Sequence, residues 1–133
     1  NAMGLDMYLY RKKRRSDYAT NEDYKEADDV ELMYWRKANQ IHSWFTEGAV
    51  EDNCTPIPVT EKEILKLIDL CMDVLAGKKE VAKELLPTAE GFFWGETEYD
   101  EWYYQDIRDT ITGLSEALDD IKTNDELYYY AWY

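Results

Sequence analysis

The chain is short of the residues from which most metal and cofactor sites are built. Its 133 residues include one histidine, His42, and two cysteines, Cys54 and Cys71, which form no C-x-x-C pair. Structural zinc sites use four cysteine or histidine ligands, and these three side chains cannot supply them. The six glycines form neither a G-x-G-x-x-G motif nor a P-loop, which excludes the common cradles for dinucleotides and phosphates. The sequence therefore predicts no metal and no cofactor, and it identifies no catalytic residue.

Long apolar runs are also missing, since no stretch approaches the ~18 residues that a membrane-spanning helix needs. The basic run at residues 11–15 follows the first apolar stretch instead of preceding it, which is the wrong order for a signal peptide. Asn1 and Ala2 look like the remnant of a cleaved tag, so we take Met3 as the native start. These features predict a cytoplasmic protein with reduced thiols and no membrane association.

Basic residues are outnumbered, with 15 Lys and Arg against 29 Asp and Glu, and the formal net charge is −14. The net negative charge of the rest of the chain would keep a phosphate backbone away from the basic run at residues 11–15. Direct nucleic-acid binding is therefore not expected. The run is interpreted either as pairing with the protein's own acids or as a local handle for an anionic partner. The overall charge would speed encounter with basic targets.

Apart from its charge, the chain has the composition of a folded protein, because 45% of its residues are hydrophobic. Near the start, Leu5, Met7 and Leu9 alternate with more polar residues, which predicts a strand with one buried face. Residues 127–132 form a second β-prone run. We expect these terminal strands to pair, because neither would be stable alone in water. The sequence therefore predicts a single α+β domain over residues 3–133.

About four helices are expected to pack on this small sheet. The clearest local signal is the capping box of Thr60 and Glu63, which opens the second helix. Cys71 falls on the apolar face of that helix and is expected in the core. Residues 16–29 are interpreted as a surface loop, and the glycine-bracketed residues 91–95 as a short strand or tight hairpin. The four helices are predicted at residues 29–48, 60–76, 79–86 and 97–121.

The aromatic residues are numerous, with twelve tyrosines and five tryptophans. They cannot all point into one small core, and an exposed tyrosine or tryptophan suits recognition because one end is apolar and the other forms hydrogen bonds. The alternative is an aromatic-rich core whose hydroxyl groups reach water. The two interpretations do not exclude each other.

A candidate binding site is predicted at the edge of the apolar face of the first predicted helix, 29–48. Polar groups at such a boundary can reach a cleft while the helix stays anchored by its apolar side chains. Its expected neighbours are Trp94 and the capped start of the last helix. We expect Arg36 to pair with Glu98 or Asp100, and Phe93 or Trp94 to cover Trp102. The candidate binding residues are Trp35, Arg36, Asn39, His42, Trp94, Glu98, Asp100 and Trp102.

Several sequence strings resemble those of a family of small proteins encoded by bacteriophages and prophages. They are GLDMYL at residues 4–9, YWRKANQIH at 34–42, LLPT at 85–88, GFFWG at 91–95 and EYDEWY at 98–103. The resemblance spans nearly the whole chain, and it departs from the family at Trp94, where a third phenylalanine is usual. It implies a phage origin and supplies no catalytic residues.

Two hypotheses about function remain at this point. The first is a non-catalytic acidic phage or prophage protein that binds a host or phage protein in the cytoplasm of the host cell. The second is a small-ligand binder or enzyme with a polar and aromatic pocket around Arg36, His42 and residues 98–102. A flat, negative face with exposed aromatic residues would favour the first, and a closed cavity lined by Arg36 and His42 would favour the second.

Overall fold

A computed structural model describes residues 4–48, 54–91 and 94–133 and shows an α+β fold, as predicted. A four-stranded sheet is joined by five α-helices and one short 3-10 helix within these residues. The strands are Asp6–Arg11 (β1), Val30–Arg36 (β2), Ile57–Val59 (β3) and Leu127–Trp132 (β4). The α-helices are Asn21–Glu26 (α1), Asn39–Thr46 (α2), Glu61–Ala76 (α3), Lys79–Leu85 (α4) and Glu101–Asp120 (α5), and the 3-10 helix is Arg15–Asp17.

The terminal strands lie side by side in the middle of the sheet. The strand order is β2-β1-β4-β3, and all three pairings are antiparallel. Met7 lies opposite Ala131, and Leu9 lies opposite Tyr129. The predicted pairing of the two ends of the chain is therefore confirmed.

The prediction of a first helix at residues 29–48 is wrong for the first half of that range. Val30–Arg36 forms β2, which pairs along β1, and only Asn39–Thr46 is helical. Lys37 between them has a positive φ of 55°, and its N–H donates to the Leu5 carbonyl at 2.7 Å. Valine, tyrosine and tryptophan in this segment suit a strand, and the edge of β1 supplies the backbone partners that a helix would otherwise supply internally.

The second and last helices follow their local capping signals. The Glu63 N–H donates to Thr60 Oγ1 at 3.1 Å, and the Thr60 N–H donates back to Glu63 Oε1 at 2.9 Å. At α5 the cap is Asp100, whose Oδ1 accepts from the Tyr103 N–H at 3.1 Å. This helix consequently begins at Glu101, later than predicted.

Residues 16–29, predicted to be a loop, also contain helical structure. Thr20 caps α1 by accepting a hydrogen bond from the Asp23 N–H at 3.1 Å. The helix buries none of its residues, so no apolar periodicity marked it in the sequence.

The strand or hairpin predicted at 91–95 is only partly testable, because Phe92 and Phe93 lie outside the described residues. Gly91, Trp94 and Gly95 belong to no strand, and the Trp94 N–H donates to the Gly91 carbonyl at 3.1 Å. A Cβ atom on Gly91 would lie 2.0 Å from the Trp94 ring. Glycine is thus required here because the indole occupies the space of its missing side chain.

The core lies between one face of the sheet and the helices α2, α3 and α5. The inward side chains of β1 and β4 alternate with outward ones, and Cys71 is fully buried as predicted. Among the described residues, none of the helices combines the length and apolarity needed to cross a bilayer. Core side chains with no exposed surface include Met7, Leu9, Ile41, Ile64, Leu67, Ile107 and Leu114.

Candidate functional site

The predicted site residues separate into two groups, and Trp35, His42 and Trp94 lie in the core. His42 has no exposed surface, and its Nδ1 lies 2.6 Å from the Tyr129 hydroxyl oxygen. Its ring meets the Trp94 ring edge-on, with centroids 4.7 Å apart. The Trp35 Nε1–H donates to Thr110 Oγ1 at 2.8 Å. These three side chains hold α2, β2 and the loop at Trp94 against the rest of the core.

Asn39 lies at the first turn of α2 and holds the loop before α5 in place. Its Nδ2 donates to the carbonyls of Trp94 and Glu96, and its Oδ1 accepts from the Ala89 N–H at 2.9 Å. The side chain is only 2% exposed. Its amide therefore satisfies loop backbone groups that would otherwise be buried without partners.

Arg36 does not pair with Glu98 or Asp100, contrary to the expectation from the sequence. Its Nη1 lies 2.8 Å from Asp6 Oδ1, because Asp6 is directly opposite it in the register of β1 and β2. The cross-strand neighbour is closer than any acid of the last helix, whose Asp100 is engaged in capping.

Trp102 is 78% exposed, so the expected cover by Trp94 is wrong. Trp94 is instead buried against His42 and Tyr133. The other expected neighbour, Phe93, lies outside the described residues.

Five of the predicted site residues do line one cleft, which has a volume of about 520 Å³. Burial raises the pKa of Asp106 in this cleft to about 6, and the negative charges of Asp109 and Asp100 add to the shift. Within the described parts of the chain, no group of three or more His, Cys, Asp or Glu is arranged to hold a metal ion. The five residues are Arg36, Asn39, Glu98, Asp100 and Trp102.

Three residues of the basic run at 11–15, Arg11, Lys12 and Arg14, pair with the protein's own acids, which agrees with one of the two interpretations of the sequence. Arg11 is buried, and its guanidinium lies 3.0 Å from both Asp17 and Asp120. Arg14 pairs with Asp125, and this ion pair lowers the pKa of the Asp125 carboxyl to about 2. The run therefore ties the turn after β1 to the C-terminal end of α5.

The sequence analysis missed a surface that the sheet creates on its outer side. The outward residues of β1, β2 and β4 include five tyrosines at alternating positions, and all of them keep partly or largely exposed rings. The alternation in D-M-Y-L-Y and L-Y-Y-Y-A-W was the signal that could have revealed it. We call this surface the tyrosine face, and its members are Tyr8, Tyr10, Tyr34, Tyr128 and Tyr130.

Four of the five rings of the tyrosine face form a continuous row across three strands. Tyr8 and Tyr10 are stacked, with ring centroids 5.5 Å apart and planes 16° from parallel. Tyr34 lies 5.2 Å from Tyr8 at one end, and Tyr128 lies 5.3 Å from Tyr10 at the other. The row provides a broad apolar surface on rings that also carry hydroxyl groups.

Carboxylates border this row. The Tyr34 hydroxyl donates to Asp6 and the Tyr128 hydroxyl donates to Asp29, each at 2.6 Å. The hydrogen bond to Asp6 raises the pKa of Tyr34, followed in size by burial. Burial, the hydrogen bond to Asp29 and its charge raise the pKa of Tyr128. The tyrosines are therefore neutral hydrogen-bond donors at neutral pH.

An acidic groove of about 1080 Å³ continues from the Tyr128 end of the row. Tyr10, Tyr128 and Tyr130 form part of its wall, together with Pro56 and Pro58. Six carboxylate residues line it against two lysines, which makes the groove negative overall. The carboxylate residues are Asp28, Asp29, Glu31, Glu61, Asp125 and Glu126, and the lysines are Lys12 and Lys122.

Comparisons of this chain with protein-family models, with curated proteins and with solved structures find no match.

Proposed function

We propose that this chain is a non-catalytic interaction protein that binds a basic segment of another protein. The segment lies along the tyrosine face and in the acidic groove. The observation that carries the proposal is the continuous tyrosine row bordered by carboxylates. The proposal includes a phage or prophage origin and a host or phage protein as the partner, on the strength of the sequence resemblance alone.

Tyrosine is well suited to binding surfaces. A ring with two side-chain torsions contributes a large contact area at a small entropic cost, and its hydroxyl still forms hydrogen bonds. Here the rings of Tyr8, Tyr10 and Tyr34 lie outside the core, which the opposite face of the sheet already fills. Their cost as exposed aromatic surface is offset when a partner covers them.

Charge complementarity selects a basic partner. The groove carries more carboxylates than lysines, and the whole chain has a formal charge of −14. Such a field attracts cationic segments and repels acidic ones, which raises the association rate as well as the selectivity.

A small ligand in the 520 Å³ cleft is the second candidate, and the exposed ring of Trp102 favours it. His42 does not line that cleft. The amide of Asn39 and a carboxylate oxygen of Asp100 are engaged by the backbone. The cleft therefore offers fewer available polar groups than the sequence suggested.

A selection from a library of random displayed peptides tests the proposal. The peptides recovered on the purified protein are expected to be rich in lysine and arginine. Their binding, measured by calorimetry, is expected to disappear in a Tyr8→Thr, Tyr10→Thr double variant, because threonine keeps the strand propensity and removes the rings.

Trp102→Ala is the matched control, because it removes an exposed aromatic side chain from the cleft instead. It is expected to leave peptide binding unchanged, and circular dichroism melting checks that both proteins are folded. The proposal is overturned if no peptide is recovered, if the recovered peptides are acidic or neutral, or if binding survives the tyrosine substitutions. Loss of binding in Trp102→Ala alone would favour the cleft.

A further inference from the structure

The carboxylate at the centre of the tyrosine face, Glu31, differs from those at the two ends because no cation of the described residues pairs with it. Glu31 lies directly opposite Tyr10 in the register of β2 and β1, so their side chains share one face of the sheet. Its carboxylate is exposed and takes part in no ion pair with another described residue. Its charge nonetheless reaches the neighbouring rings. Burial and then Asp6 raise the pKa of Tyr8, burial and then Tyr8 raise the pKa of Tyr10, and Glu31 is the next contributor to both.

At the first end of the row, the protein binds one of its own guanidinium groups. Asp6 accepts a hydrogen bond from the Tyr34 hydroxyl and also pairs with Arg36 Nη1 at 2.8 Å. A tyrosine, a carboxylate and an arginine therefore meet at one point on the surface.

The other end repeats this arrangement with a lysine. Asp29 accepts from the Tyr128 hydroxyl, and Lys12 Nζ lies 3.9 Å from Asp29 and 5.3 Å from the centre of the Tyr128 ring. The central set of Tyr8, Tyr10 and Glu31 thus combines rings with a carboxylate, as both ends do, but its carboxylate is paired with no cation of the described residues.

We propose that Tyr8, Tyr10 and Glu31 bind an arginine side chain of the partner segment. This inference rests on the proposed function, and it names the residue that the face recognises. A guanidinium is planar, so it can lie against a tyrosine ring while its N–H groups reach a carboxylate. Tyr8 and Tyr10 are stacked on each other, so each ring has a second face turned away from the pair on which a guanidinium could lie, and Glu31 supplies the acceptor beside Tyr10.

Arginine fits this set better than lysine does. An ammonium group is compact and strongly hydrated, so it gains less from a ring face and cannot form two parallel hydrogen bonds to one carboxylate. Lys12 at Tyr128 shows the looser lysine arrangement, with a longer distance to its carboxylate than Arg36 has to Asp6.

Two matched peptides test the inference. One repeats Gly-Ser-Arg and the other repeats Gly-Ser-Lys, so that length and charge are equal. We expect the arginine peptide to bind roughly fivefold more tightly, because its guanidinium can lie against a ring while forming parallel hydrogen bonds to the Glu31 carboxylate. In Glu31→Gln this preference should fall below about twofold, because the paired acceptor loses its charge.

Glu116→Gln is the control, since it makes the same change of charge at an exposed position of α5 on the helical side of the molecule. This variant should still bind the arginine peptide more tightly than the lysine peptide, while its affinity for both peptides falls slightly. In a nitrogen-15 NMR spectrum of the parent protein, the arginine peptide should shift the backbone amide signals of β1 and β2 more than those of the other strands and helices.

The outcomes separate the inference from the proposal on which it rests. Equal binding of both peptides, lost in the Tyr8→Thr, Tyr10→Thr double variant, overturns the arginine inference and leaves the basic-segment proposal standing. A preference for arginine that persists in Glu31→Gln also overturns the inference. Binding of neither peptide overturns it too, and the library selection then decides the proposed function on its own.

Discussion

His42 and Tyr129 share a hydrogen bond that is enclosed by aromatic rings. Phe45 stacks on Tyr129 with centroids 4.2 Å apart, and Trp94 and Tyr133 meet the His42 ring edge-on. Burial raises the pKa of Tyr129 well above its usual range, so the hydroxyl stays neutral. A lone histidine is thereby made a structural residue that joins α2 to β4.

Removing the Tyr129 hydroxyl tests this role. Tyr129→Phe keeps the ring and leaves His42 Nδ1 without that partner, so we expect unfolding to become easier by about 1–2 kcal/mol. Chemical denaturation measures the change. Tyr10→Phe is the control, because it removes a hydroxyl from the exposed face, and equal effects of the two substitutions would contradict the prediction.

Asp106 couples stability to pH with a definite sign. Its pKa is raised to about 6 by burial and by neighbouring aspartates, whereas the pKa of an aspartate in an unfolded chain is about 4. Between these pH values the folded state binds more protons than the unfolded state. The free energy of unfolding contributed by this carboxyl therefore falls as the pH rises through that window.

Asp106→Asn should remove this penalty. Because the side chain is partly exposed, we expect a gain of only about 1 kcal/mol at neutral pH and no gain near pH 4. Denaturation at both pH values measures it. Asp69→Asn, at an exposed position of α3, serves as the control, and an equal gain from it would show that net charge and not Asp106 is responsible.

At the scale of elements, β1 and β4 form the centre of the sheet, and each has a strand on both sides. Deleting Tyr128–Tyr133 removes the partner of both β1 and β3, so we expect the cooperative thermal transition to be lost. Calorimetry provides the measurement. A truncated chain that melts as the parent does would contradict this expectation.

A control for the truncation keeps the strand and removes one side chain. Trp132→Thr replaces an exposed indole on β4 and should retain a cooperative transition. Hydrogen exchange supplies an independent check, since the amides of β1 should exchange slowly and those of α1, which buries no residue, should exchange fast.

On the scale of the whole molecule, the charge of −14 opposes the compact state through self-repulsion. The local ion pairs of Arg11 and Arg14 counter this only at one end of α5. Since the screening length falls from ~30 Å at 0.01 M salt to ~10 Å at 0.1 M, added salt weakens the long-range repulsion more than these close pairs.

We therefore expect the melting temperature to rise when sodium chloride is added to a low-salt buffer. Thermal denaturation followed by circular dichroism measures it, with potassium chloride compared in parallel to exclude an effect specific to sodium. A melting temperature that falls with salt would mean that the local ion pairs outweigh the net repulsion.

Local chemistry in the sequence was enough to predict α3 and the pairing of the terminal strands. Thr60 and Glu63 satisfy each other's backbone groups within three residues, so their pattern carries its own partners. The alternation of Leu5, Met7 and Leu9 likewise requires only that one face of the strand be buried.

Only the tertiary structure determines that residues 30–36 form the strand β2. This strand in turn determines which residues meet at the candidate site. Val30–Arg36 becomes a strand because its backbone partners lie on β1, far away in the sequence, and no local pattern reveals such a partner. Once that strand forms, Arg36 pairs with Asp6 instead of an acid near the last helix, while His42 is buried in the core on α2. The tyrosine face arises in the same way, since strands that are distant in sequence must be adjacent before their rings can make one surface.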